Sequence, residues 1–232
     1  MLYPFYFDST YILVIIGVIL SLAASAKVRS TFAKYSQVRS LSGMTGADAA
    51  QRILERSGIY DVKIEHVHGQ LNDHYDPRTK VLRLSDAVYG SNSIAAIGVA
   101  AHECGHAIQH QNSYAPLKIR SILVPVANFG AVISWPLILI GLLLAGSQTL
   151  INAGIILFST AVLFQLVTLP VEFNASRRAV QRLGETGILY GEELTQSKKV
   201  LDAAALTYVA AAAATILQLL RLILLFGGRR RD

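Results

Sequence analysis

Four long uncharged stretches constrain this chain more than any other feature. Residues 9–26 contain no Asp, Glu, Lys or Arg, nor do residues 121–146 or 147–171, and residues 203–226 contain only Arg221. Each is long enough to cross a bilayer core as a helix, which takes roughly 20 apolar residues. Lipid offers no partner to an unpaired backbone N–H or C=O, so runs of this length and polarity have little choice but the helix. Composition agrees: 53% of residues are hydrophobic and 16% charged, against roughly 25% charged in soluble domains. The chain reads as mainly α, an integral membrane protein with about four transmembrane helices. No Lys or Arg precedes Lys27, so the first run lacks the charged start of a cleaved signal peptide and reads as a retained anchor.

These runs divide the chain. Residues 1–26 form the N-terminal transmembrane anchor and 27–118 a polar domain. Residues 119–171 form a transmembrane hairpin turning at 145–149, 172–202 a second polar segment, and 203–232 a last span with a basic tail. A hairpin returns the chain to the side it left, so the two polar segments are expected to share one membrane face. The net charge of +6 is not a nucleic-acid footprint. Twelve Lys or Arg lie in 27–120 and five in 177–199, interleaved with acids and flanking the apolar runs. That is the positive-inside pattern, and it puts both polar segments in the cytoplasm, with the lipid bilayer as partner. It also leaves Arg229–Arg231 outside, outvoted by the larger loops. A single cysteine, Cys104, excludes an internal disulfide.

Within 27–118, "TGADAAQRILERSG" predicts a short amphipathic helix capped by Thr45, burying Ile53 and Leu54 and ending at Gly58. "DVKIEHV" and "KVLRLS" alternate like strands, with turn chemistry in "YDPRTK" between them, and predict a hairpin over about 61–85. "KVLRLS" reads either as a core strand or as an edge strand that aligns substrate. His66, His68 and His74 read as surface residues of the hairpin rather than a second metal site. "SNSIAAIGVAAHECGHAIQHQ" then predicts a helix capped at Ser91, Asn92 or Ser93.

That helix carries H-E-x-x-H at 102–106. His102 and His106 are i and i+4, so both imidazoles leave one face and can hold one ion. Glu103, one step round, can serve as general base on a metal-activated water. Chance produces the pattern in roughly one chain of this composition in two hundred, so a helix with merely polar histidines is the weaker reading. Gly105 in mid-helix points to close packing there. The site implies one catalytic Zn²⁺ with a third protein ligand and an open position. The metzincin extension is absent, since Gln109 and Asn112 stand where it needs Gly and His. His110, a turn further on, is offset from the other two and reads as structural or near substrate. Glu172 follows Pro170, which is expected to end the third span and start a new helix. The carboxylate there reads as the third ligand, or as a charge favouring a helix N-terminus.

"DHYDPRTKVLRLS", "AAIGVAAHECGHAIQHQ", "VEFNASRRA" and "DAAALTYVAAA" resemble the YugP-type membrane zinc metallopeptidases, from about Thr45 onward. More distantly the chain is similar to the HtpX-type membrane proteases, which place two spans between an H-E-x-x-H helix and a glutamate ligand. The resemblance implies a small α+β zincin-like domain at the membrane surface of a bacterial cell. In it His102, His106 and Glu172 are the metal ligands and Glu103 the catalytic base, a gluzincin-like set acting on protein or peptide substrates, membrane proteins among them. The HtpX-type motif has an Asp where this chain has Ser176, which leaves the partner of a ligating imidazole to Ser176 or, weakly, Asn174. Arg177, Arg178, His110 and Tyr208 are the candidate donors to a developing oxyanion. Two arginines there are equally suited to anchoring a helix at lipid.

The function expected is therefore a membrane-embedded zinc-dependent endopeptidase. One alternative is a non-catalytic scaffold with a structural zinc; the intact Glu103 counts against it. Another is an intramembrane site-2-type protease; only eight apolar residues, 94–101, precede His102. A transporter finds little support in one intramembrane charge, Arg221.

Overall fold

The computed structural model describes residues 8–69, 72–144 and 146–227. The basic tail at 229–231, and with it the question of its side, lies outside these residues. The elements are α1 (Tyr11–Ser36), α2 (Gly46–Arg56), β1 (Lys63–Val67), β2 (His74–Asp76), β3 (Val81–Ser85), α3 (Ile94–Gln111), α4 (Ala115–Leu143), α5 (Gln148–Glu185) and α6 (Gly191–Phe226). Of these, α1, α4, α5 and α6 are long and apolar enough to cross a membrane. The protein is mainly helical with one small three-stranded sheet. Its contacts group into two units. One comprises Met1–Ala23, Ile119–Leu169 and Tyr208–Asp232; the other comprises Ala24–Lys118 and Pro170–Thr207.

The first unit holds most of the apolar helical length. Its large side chains, among them Ile12, Leu22, Ile122, Val132 and Ile156, are exposed, as a lipid-facing surface requires. Small residues let the helices approach. A Cβ on Gly130 would lie 2.6 Å from the Leu157 carbonyl oxygen, and one on Gly17 would lie 3.1 Å from the Ala214 Cβ. Arg221, the one charge within the last apolar run, is paired. Its Nη2 lies 3.2 Å from Asp8 Oδ2, and its guanidinium stacks over Tyr11, 4.3 Å from the ring centre. An ion pair capped by an aromatic ring accounts for this arginine without a transport role.

The second unit has its own core, in which Ile53, Leu54, Leu82, Leu84, Ile94, Ile97 and Leu183 are fully buried. Each such side chain contributes roughly 1.5–3 kcal/mol by leaving water. Helix α2 starts at the predicted cap: Thr45 accepts from Asp48 N while Asp48 accepts from Thr45 N, a capping box. Gly58, at φ +71°, ends it in the conformation that favours glycine.

Two expectations are corrected. "DVKIEHV" and "KVLRLS" do not form a hairpin. The sheet order is β1-β3-β2, with β1 parallel to β3 and β2 antiparallel to it. The hairpin turn at 77–80 joins β2 to β3, with Asp76 accepting from Arg78 N and Thr79 Oγ1. Strand β3 is therefore central rather than an edge, paired with β1 on one side and β2 on the other, and Val81, Leu82, Leu84 and Ser85 are buried there. The edge beside α3 is β2, too short to stand out in the sequence.

The second correction concerns Pro170, which does not end a helix: α5 runs through it to Glu185. A proline inside a helix costs about 3 kcal/mol. Beyond it, Val171, Ala175, Ala179 and Leu183 form a fully buried stripe, and burying a Val and a Leu alone returns about that much. Glu172 accordingly lies deep within a long helix, and the alternative of a carboxylate at a helix N-terminus falls.

Candidate metal centre

Helix α3 is capped at Ser93, whose Oγ accepts from Ala96 N at 3.2 Å. It places His102 and His106 on one face with ring centres 4.8 Å apart at 88°. The same face meets α5 unusually closely. A Cβ on Gly105 would lie 2.5 Å from the Ala175 carbonyl oxygen, so only glycine lets the two backbones touch here. That approach carries Glu172, one turn before Ser176 on α5, over the histidines. Its Oε2 lies 3.2 Å from His102 Nε2 and 3.6 Å from His106 Nε2. Two imidazole nitrogens and one carboxylate oxygen, all within 4.8 Å of one another, make a donor set that suits Zn²⁺.

The far side of each ring is also held. His102 Nδ1 is 3.1 Å from Ser176 Oγ, and His106 Nδ1 is 3.1 Å from Gln109 Oε1. Gln109 is completely buried, and its Nε2 donates to the Val171 carbonyl (2.8 Å) and to Asn174 Oδ1 (3.0 Å). Its amide is thereby oriented, and Oε1 must accept from His106. The Nδ1–H tautomer follows, with the Nε2 lone pair directed towards Glu172. Arg178 Nε donates to the same Asn174 Oδ1 at 2.8 Å. Ser176 thus stands where a carboxylate was sought, while Asn174 acts one step removed, through Gln109.

Glu103 is 8% exposed, and its Oε2 accepts from Tyr75 N on β2 at 3.0 Å. Burial lifts its pKa to about 7, and the negative charges of Glu172 and Asp73 add to that while His102 opposes it. Such a value suits a group that must both take and return a proton near neutrality. Asp73 fixes the entry to β2 by accepting from Ser85 N and Ser85 Oγ. His110 is turned to the strand, its Nδ1 2.8 Å from the Tyr75 hydroxyl. Burial, then Asp61 and Asp76, raise the Tyr75 pKa to about 12, so this phenol stays protonated. Cys104 is buried, with its thiol 3.6 Å from the Ala50 carbonyl and its pKa pushed well up by burial; it is inert packing.

The structure therefore gathers His102, Glu103, His106 and Glu172, with Ser176 against one ring. Arg177 is exposed on α5, and Tyr208 belongs to the other unit. Sequence reading missed Gln109, Tyr75 and Asp73. Gln109 had a usable signal, since i+3 from His106 is within side-chain reach on a helix. Tyr75 acts through its backbone, which no residue type announces.

Residues 10–227 match the model of a family described as "Putative neutral zinc metallopeptidase". The chain is also 54% identical over 207 residues to the "Putative membrane protease YugP" of Bacillus subtilis (strain 168), covering 89% of this chain and 92% of that protein. No solved structure matches.

Proposed function

From the premise that the chain belongs to the neutral zinc metallopeptidase family, we propose that it is a membrane-embedded zinc endopeptidase. In this reading His102, His106 and Glu172 hold one ion, and Glu103 is the catalytic base. The observation that carries it is the convergence of Glu172 on both histidines from 70 and 66 residues away in sequence. A bound zinc supplies a Lewis acid for the scissile carbonyl and acidifies water.

The chain's own residues supply the rest. Gln109 and Ser176 hold the two rings by Nδ1, leaving each Nε2 for the ion. Glu103, buried beside them, takes a proton from the attacking water and passes it to the leaving amine. Its bond to Tyr75 N sets this base against the outer edge of β2, the strand on which an extended peptide would lie by strand addition. His110 on α3 and the Tyr75 hydroxyl on β2, 2.8 Å from its Nδ1, would serve as donors for a developing oxyanion.

Removing metal from the purified protein with a chelator should abolish cleavage of an unfolded protein substrate, and one equivalent of Zn²⁺ should restore it. Cleavage that survives complete metal removal sinks the proposal.

We assign both polar segments to the cytoplasm of a bacterial cell, a reading supported by the twelve Lys or Arg at 27–120 and the five at 177–199 that flank the apolar runs. Asp61→Cys and Glu192→Cys, each in a Cys104→Ala background, should be labelled by an impermeant thiol reagent only from the cytoplasmic side. Labelling from outside at either position overturns this orientation.

A further inference from the structure

A second group of metal-binding side chains lies away from the centre just described. The parallel register of β1 and β3 pairs Val67 with Ser85, which brings Asp86 level with the end of β1. There His66 Nε2 lies 2.6 Å and His68 Nδ1 3.5 Å from the same oxygen, Asp86 Oδ1. The carboxylate is oriented through its other oxygen, which accepts from Gly69 N at 2.8 Å. The two rings are 5.2 Å apart at 76°, close to the 4.8 Å and 88° of His102 and His106. In both places two imidazoles converge edge to face on one carboxylate oxygen. His74, grouped with these histidines by sequence, turns elsewhere: its Nδ1 pairs with the Asn72 carbonyl.

We propose that His66, His68 and Asp86 form a second divalent-metal site, taking Zn²⁺ or a similar borderline-soft cation. One hydrogen bond from His66 would satisfy Asp86 Oδ1. Packing does not hold the second imidazole there, since the His68 side chain is 94% exposed. Two neutral imidazoles and a carboxylate suit zinc rather than magnesium or calcium, which take oxygen. Water completes the shell, because all three groups are open to solvent. The site is therefore weaker than the buried one, and an ion in it ties the end of β1 to the residue that follows β3. The proposal stands independently of the peptidase reading.

The test is Zn²⁺ titration of the untagged full chain in detergent, in competition with a chromophoric chelator. Wild type should show two classes of site. His102→Ala should remove the tighter class and leave the weaker. His66→Ala/His68→Ala should abolish the weaker class or weaken it at least tenfold, and leave the tighter. Asp86→Asn, which keeps an oxygen for Gly69 N, should weaken the same class, and His74→Ala should change neither. A single class in wild type, or a weaker class that survives the double substitution, overturns the proposal.

Discussion

Glu103→Gln is expected to keep zinc and fold while losing peptide hydrolysis by about two to four orders of magnitude, the range a positioned acid–base group contributes. Gln has the same shape, and its amide oxygen can still accept from Tyr75 N, where Glu103 now accepts at 3.0 Å. No metal ligand is touched. What disappears is the ability to carry a proton. Retained zinc with full activity would show that the carboxylate is not the base. The pH profile supplies an independent reading. Burial sets the Glu103 pKa at about 7, and a cation bound beside it would favour the carboxylate and lower that value. The base form is lost as pH falls, so kcat/KM should drop on the acid side with a midpoint at or below about 7. An acid limb centred above pH 8 would assign that proton to another group.

Glu172→Ala should release the metal. Two histidines leave zinc short of the three protein ligands of a catalytic site, and no other carboxylate joins them among the described residues. Zinc affinity should fall by more than the ten- to hundredfold typical of losing a supporting partner, and activity should vanish with it. Gln109→Leu sets that scale. It removes the partner of His106 Nδ1 and the side-chain donor to the Val171 carbonyl but leaves His102, His106 and Glu172 in place, so its loss should stay within ten- to hundredfold. Glu185→Ala should do neither, because Glu185 only pairs on the surface with Gln181 and Arg182. Equilibrium zinc binding on the four proteins checks the order. Retention of the tighter class of zinc site in Glu172→Ala would move the third ligand, with His110 the next residue to replace.

Much of this protein is written in short-range pattern. The four apolar helices are set by the length and polarity of their runs. Thr45 caps α2, one of Ser91, Asn92 and Ser93 caps α3, and His102 and His106 share a face because 3.6 residues make a turn. Each depends on neighbours within a few positions, so the sequence alone determined them. Other features had no such local cause. Whether β1 runs parallel or antiparallel to β3 is a matter of pairing between distant segments, and alternation in "DVKIEHV" and "KVLRLS" cannot say. Pro170 argues locally for a helix end, and the buried stripe of Val171, Ala175, Ala179 and Leu183 overrules it. Glu172 reaches the histidines because Gly105 lets α3 touch Ala175 of α5. Gln109, read by spacing only as the absence of a glycine, becomes the residue that orients His106, since an amide sealed from water must find partners for both its ends. These are outcomes of packing between segments some 20 to 70 residues apart, and only the tertiary structure decided them.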